Sequence, residues 1–421
     1  MLFTSFAMES HFLSMVPLAW AMRTAGHEVR VAGQPALTRA VTAAGLTAVP
    51  VGEDHRLLAA MEGADVGGDG TPWHSVDLDP ARPEADSWEF LKTVNGLLPE
   101  TFYTHANNDS MIDDLVAFAR WWRPDLVIWE PFTLAGAVAA RAVGAAHARL
   151  LWGADLLLDL RTRFLRQLAD RPPGAASDAL ADWLGGVLDR HGLSFDETTV
   201  RGQWTIDTLP ASIRMDLGEP TVAMRYVPYN GTAVVPAWLR EPPERTRVCL
   251  TMGLTARSGA DYLLGSLDGM LDAVGDLDVE IVATLNAAQR AQVSRLPGNV
   301  RAVDFVPLHA LLPTCSAVAH RCGAGGWSTA AIYGVPQLIS PMVFENSYRA
   351  RRTAEVGAAL VIPQGELTPQ ALRDGLLRVI EDPRFADAAD RLRRESLSDP
   401  TPNDVVPVLE KLTLEHQEYL S

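Results

Sequence analysis

Only three cysteines, Cys249, Cys315 and Cys322, occur in 421 residues, and their spacing matches no metal site. So sparse and odd a set excludes a disulfide scaffold and fits a reducing compartment, the cytoplasm. Cys249 and Cys315 lie in or beside apolar runs and read as small core hydrophobes; Cys322 lies in a glycine-rich turn and is less easily placed. Positive charge is short as well. Against 52 Asp and Glu there are 36 Lys and Arg, a formal charge of −16, which argues against nucleic acid or an anionic membrane surface as partner. An anionic ligand would need a local positive site. No basic segment precedes the apolar start, where Arg23 is the first arginine and Glu9 and His11 interrupt the run, so no secretion signal is expected. Long hydrophobic spans are missing too: Arg141, His147 and Arg149 break the alanine-rich stretch 134–158, so membrane insertion is not expected.

What is present is 48% hydrophobic residues, enough to fill cores, in a chain too long for one core of ordinary size. An apolar strand at Leu2–Phe6 leads through a polar loop to a helix near Leu13–Thr24, and a second strand follows at Glu28–Ala32. Pro17 is compatible with that helix if Ser14 caps it, because a first-turn N–H has no bond to lose. Residues 53–90, rich in Gly, Asp and Pro, read as an irregular excursion. Asp125–Trp129 is a buried strand, with a small-residue helix after it at Ala135–Val143. A second alternating block starts at Arg247–Gly253, and Thr368-Pro369 is a strong helix start. Between the blocks, 227–246 carries four prolines and reads as a linker. The fold class is α/β: two Rossmann-like doubly wound domains, 1–226 and 247–399, facing across a cleft, with ligands at the carboxyl ends of the strands.

The richest segment is His320-Arg321-Cys322-Gly323-Ala324-Gly325-Gly326-Trp327-Ser328-Thr329, closed by Gly334-Val335-Pro336-Gln337. A strand that empties through glycines into a helix N-terminus makes an anion seat, because first-turn N–H groups lack partners and the dipole is positive there. Thr251-Met252-Gly253-Leu254-Thr255 is a second strand-end turn, either an ordinary β–α turn or a source of further contacts to the same anion. In the first half, His11 sits in the loop after strand one, as a cap or core histidine or as a general base. Glu130 and Asp155 are both candidates for the carboxylate that would orient it.

These residues resemble the nucleotide-sugar glycosyltransferases that decorate polyketide antibiotics. The glycine segment is similar to their His-His-Gly-Gly-Ala-Gly-Thr signature, and Ser10-His11-Phe12-Leu13-Ser14 to their Gly-His-x-x-Pro start. Val16–Ala21, Arg123–Pro131, Arg225–Gly231 and Pro307–Ser316 resemble the subgroup that attaches deoxysugars to macrolides and anthracyclines. The resemblance implies a GT-B fold whose C-terminal helix, 400–421, packs back on the first domain. It implies inverting, metal-independent transfer of a deoxysugar or aminodeoxysugar from a dTDP-sugar to a hydrophobic polyketide aglycone, with no cofactor. His11 would be the base. Thr251, Gly253, Thr255, Arg321, Gly323, Gly325, Gly326, Trp327 and Ser328 would hold the diphosphate, and Val306, Pro307, Leu308 and Leu311 the nucleoside. Glu345 and Asn346, in the place of a Trp-Asp-Gln/Thr motif, would bind the sugar, and Met8, Phe12 and Trp152 would line the acceptor pocket unless they are plain core. A P450-like helper protein, docking on 53–90 and the region after Leu150, and a homodimer are further expectations.

Three departures bear on activity. Arg321 replaces a histidine, offering a permanent cation or crowding the site; Cys322 adds a Cβ where glycine is usual; Phe344-Glu345-Asn346 retunes or weakens sugar binding. A catalytically impaired, auxiliary homologue is therefore the competing expectation, and a sugar epimerase a third.

Overall fold

A strand that is one unbroken apolar run suits burial on both faces of a parallel sheet covered by helices, and Leu126-Val127-Ile128-Trp129 is such a strand, buried at every position; Ala146–Leu150 is buried throughout as well, its His147 and Arg149 included. In the computed structural model, residues 1–62, 77–172, 174, 177–251, 267–341 and 344–420 are described. The chain divides into two units: Met1–Thr208, Arg214–Met224 and Pro400–Ser421 form the first, Leu209–Ile213 and Arg225–Asp399 the second.

The first unit holds β1 (Leu2–Thr4), β2 (Arg30–Gly33), β3 (Thr47–Pro50), β4 (Leu126–Trp129), β5 (Ala146–Leu150), β6 (Trp204–Asp207) and β7 (Thr221–Ala223). Their order is β3-β2-β1-β4-β5-β6-β7, all parallel, with Thr4 of β1 in register with Trp129 of β4. Strand order reverses between β1 and β4, and open α/β sheets take ligands at the carboxyl ends of the strands at such a point. The helix Val16–Thr24 begins with Pro17 in its first turn, where it costs no bond. The helix Ala135–Arg141 lies close over the sheet because of Gly136. A Cβ there would stand 2.3 Å from Thr4 Oγ1 and 2.7 Å from Trp129 Cβ. The C-terminal helix, Pro402–Leu420, belongs to this unit, and His27 Nε2 meets Glu410 at 2.7 Å.

The second unit holds β8 (Thr246–Thr251), β9 (Val279–Thr284), β10 (Val300–Val303), β11 (Ala317–His320), β12 (Gln337–Ile339) and β13 (Ala359–Val361), ordered β10-β9-β8-β11-β12-β13 and parallel throughout. Alternation along each strand feeds two cores. Val248, Ile281, Ala317 and Ala319 pack against Leu372, Leu376 and Val379 on one face; Cys249, Val282 and Val318 meet Ala330 and Val335 on the other. Reversal falls between β8 and β11, where Thr251 is in register with His320.

Two sequence boundaries shift. The segment 227–246 is part of the second unit rather than a free linker, since Leu239 is buried in that unit's core. Leu209–Ile213, expected in the first domain, also belongs to the second. The excursion 53–90 includes helices at Leu57–Glu62 and from Trp88 onward, while 63–76 lie outside the described residues.

Candidate active site

His11 follows β1 and Glu130 ends β4, so the reversal point of the first sheet brings two residues far apart in sequence together. His11 Nδ1 lies 3.0 Å from Glu130 Oε2. Glu130 is wholly buried. Oε2 also accepts from the Phe132 N–H at 3.1 Å and the Trp152 indole N–H at 3.2 Å, and Oε1 accepts from the Thr133 hydroxyl. Thr133 Oγ1 in turn accepts the Phe6 N–H at 2.7 Å, tying the loop after β1 to the loop after β4. A buried carboxylate with this many donors holds its position and dictates that His11 carries its proton on Nδ1. Nε2 is then the ring nitrogen that keeps its lone pair, the arrangement a general base requires.

The imidazole is walled by aromatic rings, with Trp152 at 4.7 Å, Phe6 at 4.9 Å and Phe132 at 5.5 Å between centroids. Asp155, the other candidate orienter, is engaged elsewhere: both its oxygens bond Arg149, at 2.9 and 2.7 Å. Of the three residues expected to line an acceptor pocket, Met8 and Trp152 are half-buried, but Phe12 is 0% exposed and is core. The reason is helical position, since Phe12 closes the short helix Glu9–Phe12 on its buried face. His55, unnoticed in the sequence, lies tilted against Phe6, with ring centroids 5.2 Å apart. Its Nε2–H donates to the Ala7 carbonyl at 3.2 Å and its Nδ1 accepts from Leu57 N–H, and burial holds its pKa below the usual value.

In the second unit, β11 ends at His320 and the helix Ala324–Tyr333 begins after three intervening residues. Gly325 and Gly326 therefore form its first turn rather than a loop. Gly323 is the N-cap and offers no side chain, leaving the first-turn N–H groups for a ligand. Gly323 and Gly325 are exposed, and nothing lies within 4 Å of a Cβ built on Gly323. His320 is buried and neutral: Nε2–H donates to Gln337 at 2.8 Å, Nδ1 accepts the Cys322 N–H at 3.1 Å, and burial lowers its pKa to about 4. Cys322 is buried with φ +64°, a backbone that favours glycine.

Arg321 is 5% exposed and bonds Ser340 Oγ through Nη1 at 3.1 Å. Its Nε and Nη2 have no partner among the described residues, and burial alone lowers its pKa. A guanidinium in that state lacks an anion, and removing two donors from water without one is costly. Thr251, at the neighbouring strand end, accepts from the Thr284 hydroxyl at 2.8 Å. Gly253 and Thr255 lie outside the described residues.

Several other residues expected to contact the ligand have buried side chains. The Trp327 side chain is 1% exposed and donates from its indole N–H to Thr353 Oγ1 at 2.8 Å, because it falls on the side of its helix that meets the helix Asn346–Glu355. Ser328 is buried as well. Among the residues assigned to the nucleoside, Val306 and Leu311 belong to the core, Pro307 is buried, and Leu308 alone is partly exposed. Any reading of a base there falls to the backbone. Glu345 and Asn346 are both present near the turn, and Arg349 bonds both of them. Arg349, in a run that reads as a solvated helix face, is fully buried; Arg351 and Arg352 are partly exposed and pair with Glu355.

Among the described residues, no helix is long and apolar enough to cross a membrane, and no group of three or more His, Cys, Asp and Glu could hold a metal ion. The chain matches the family described as erythromycin biosynthesis protein CIII-like, by its N-terminal domain over residues 20–253 and its C-terminal domain over 268–412. The 10-deoxymethynolide desosaminyltransferase of Streptomyces venezuelae is 51% identical over 419 residues, spanning 99% of this chain and 97% of its own. The aklavinone 7-beta-L-rhodosaminyltransferase of Streptomyces galilaeus is 52% identical over 428 residues, 99% of this chain and 96% of its own. A crystal structure of the glycosyltransferase VinC in complex with dTDP aligns at a TM-score of 0.89 and 43% identity, covering 98% of this chain and 99% of that one. With two parallel α/β sheets, each reversed at a strand end that carries the site residues, the chain belongs to the erythromycin biosynthesis protein CIII-like family, the macrolide and anthracycline deoxysugar glycosyltransferases of the GT-B fold.

Proposed function

We propose that this enzyme transfers a deoxysugar or aminodeoxysugar from a dTDP-sugar to a hydroxyl of a hydrophobic polyketide aglycone, with inversion at the anomeric carbon. The observation that carries the reading is the His11–Glu130 pair, 3.0 Å apart, whose carboxylate leaves Nε2 as the basic nitrogen. His11 Nε2 takes the hydroxyl proton as the aglycone oxygen bonds to the anomeric carbon. The bond from that carbon to the diphosphate oxygen breaks, and dTDP leaves with the electron pair. Arg321 and the N–H groups of Gly323, Gly325 and Gly326 meet the leaving charge, so the reaction needs no metal and no cofactor. Glu345 and Asn346 face the sugar, and the wall formed by Met8 and Trp152 faces the aglycone. A cytoplasmic location, a P450-like helper protein and a homodimer belong to the same reading. Turnover with and without a co-expressed helper tests the second, and light scattering the third.

An auxiliary, non-catalytic role would leave no reason for a buried carboxylate to hold a partly exposed imidazole in one tautomer. Replacing Arg321 with Met tests the donor seat. Losing one or two charge-assisted bonds, about 1.5–3 kcal/mol, should weaken dTDP about 10- to 100-fold by calorimetry. The melting temperature should hold or rise, because an unpaired buried charge is gone. Unchanged dTDP affinity would refute that seat. His11→Ala should abolish transfer and leave dTDP affinity intact; surviving turnover would remove His11 as the base.

A further inference from the structure

Glu345 sits at the N-cap of the helix Asn346–Glu355, so Glu345 and Asn346 lie one turn before Arg349 and share its face. The Arg349 Nη2 group donates to Glu345 Oε1 at 3.0 Å, to Asn346 Oδ1 at 3.1 Å and to the carbonyl of Cys322. The guanidinium lies 5.6 Å from the centroid of the Trp327 ring, within cation–π range. Nε and Nη1 find no partner among the described residues, although the side chain is fully buried.

Stability alone does not explain this residue. An apolar side chain of similar volume fills such a space at least as well as a guanidinium with two unsatisfied nitrogens. What an apolar residue cannot do is join three acceptors from two separate segments. Cys322 belongs to the turn after β11, and Glu345 and Asn346 to the loop-to-helix junction after β12. One nitrogen fixes the distance between them. The left-handed backbone at Cys322 and its bond to Arg349 describe a single conformation of that turn.

We propose that Arg349 is a positioning residue of the donor site, coupling the turn that seats the diphosphate to the two side chains that read the sugar. This rests on the assignment of that turn as the donor seat. Through Arg349, diphosphate and sugar hydroxyls are recognised on one rigid frame, so that displacing Glu345 or losing the guanidinium has the same consequence for the sugar.

The test is a double-mutant cycle in the full-length protein, with dTDP and dTDP-glucose as calorimetric probes and melting temperature recorded throughout. The variants are Arg349→Lys, Arg349→Met, Glu345→Gln and the combination of Glu345→Gln with each. Arg349→Lys keeps the charge and one donor but not the fork, and guards against misfolding of the Met variant. Expected is a loss of about tenfold in dTDP-glucose affinity for Arg349→Lys and for Glu345→Gln, with dTDP affinity changed less than about threefold. The double variant should be no worse than about twofold below the weaker single. Multiplying losses near a hundredfold would overturn the coupling, as would equal losses for both probes that follow the melting temperature. If the unsubstituted protein binds neither probe, the donor-seat reading fails first, an outcome distinct from unchanged dTDP-glucose affinity in Arg349→Lys, which overturns the Arg349 proposal alone.

Discussion

Replacing Glu130 with Gln separates the charge of the buried carboxylate from its geometry. Three donors converge on Oε2, from His11, Phe132 and Trp152, whereas Oε1 meets one hydroxyl, that of Thr133. An amide must present NH2 to one side, and placing it against three donors would break three bonds. Placing it against Thr133 breaks at most one, because a hydroxyl can rotate. The amide carbonyl should therefore take the Oε2 position and keep the proton on His11 Nδ1. What remains is the loss of charge opposite the imidazolium that would form in the proposed deprotonation of the aglycone. A bond to a charged acceptor contributes about 1.5–3 kcal/mol and a neutral one about 0.5–1.5. The difference, about 1–2 kcal/mol, corresponds to a fall in kcat of about 5- to 30-fold. A wrong tautomer would instead cost about 10⁴-fold, as an Asp→Asn change does in serine proteases. Steady-state kinetics with saturating donor, together with dTDP calorimetry, decide the matter. An unchanged kcat, or a loss near 10⁴ with dTDP affinity intact, would refute the argument from donor count.

Cys322 should be more stable as Gly than as Ala, the reverse of most positions, because φ is +64° and only glycine adopts it freely; the gap should be about 1–2 kcal/mol in urea unfolding, and an Ala variant equal to Gly would contradict it. Burial lowers the pKa of His147 to about 3 and that of His320 to about 4, so the unfolded chain binds protons there that the native one refuses. Stability from these two should be full above pH 6.5 and fall as pH drops toward 4, by about 1.4 kcal/mol per pH unit for each histidine. A melting temperature flat from pH 7 to 4.5 would refute this.

Periodicity and punctuation made much of the architecture legible. Ala317–His320 stands where its apolar run places it, and Thr368 caps the helix Pro369–Glu381 by accepting from Ala371 N–H at 3.1 Å. The strands β6 and β7 escaped notice: their short segments, Trp204–Asp207 and Thr221–Ala223, carry Thr and Asp, and tertiary pairing at the sheet edge overrides weak pattern. The candidate site was legible where a single residue type suits the proposed chemistry, as with His11 and Arg321. It was not where orientation decides. Trp327 and Val306 lie in the right segments but point into the core, and a one-residue step along a helix or strand settles that. Arg349 was hidden among Arg351 and Arg352, although its spacing from Glu345 was readable as one helical turn. The choice between Glu130 and Asp155 depended on strand order, which no local pattern encodes.

The return of the C-terminal helix to the first unit bears on enzyme engineering. Because Pro400–Ser421 and Leu209–Ile213 each lie in the unit opposite to their sequence neighbours, a single crossover point cannot exchange one unit whole. A hybrid joined once near residue 226 would take its final helix from the wrong parent, setting a foreign side chain against His27 in place of Glu410. Recombination among relatives of differing sugar and aglycone preference should therefore graft residues 400–421 from the same parent as the amino-terminal half.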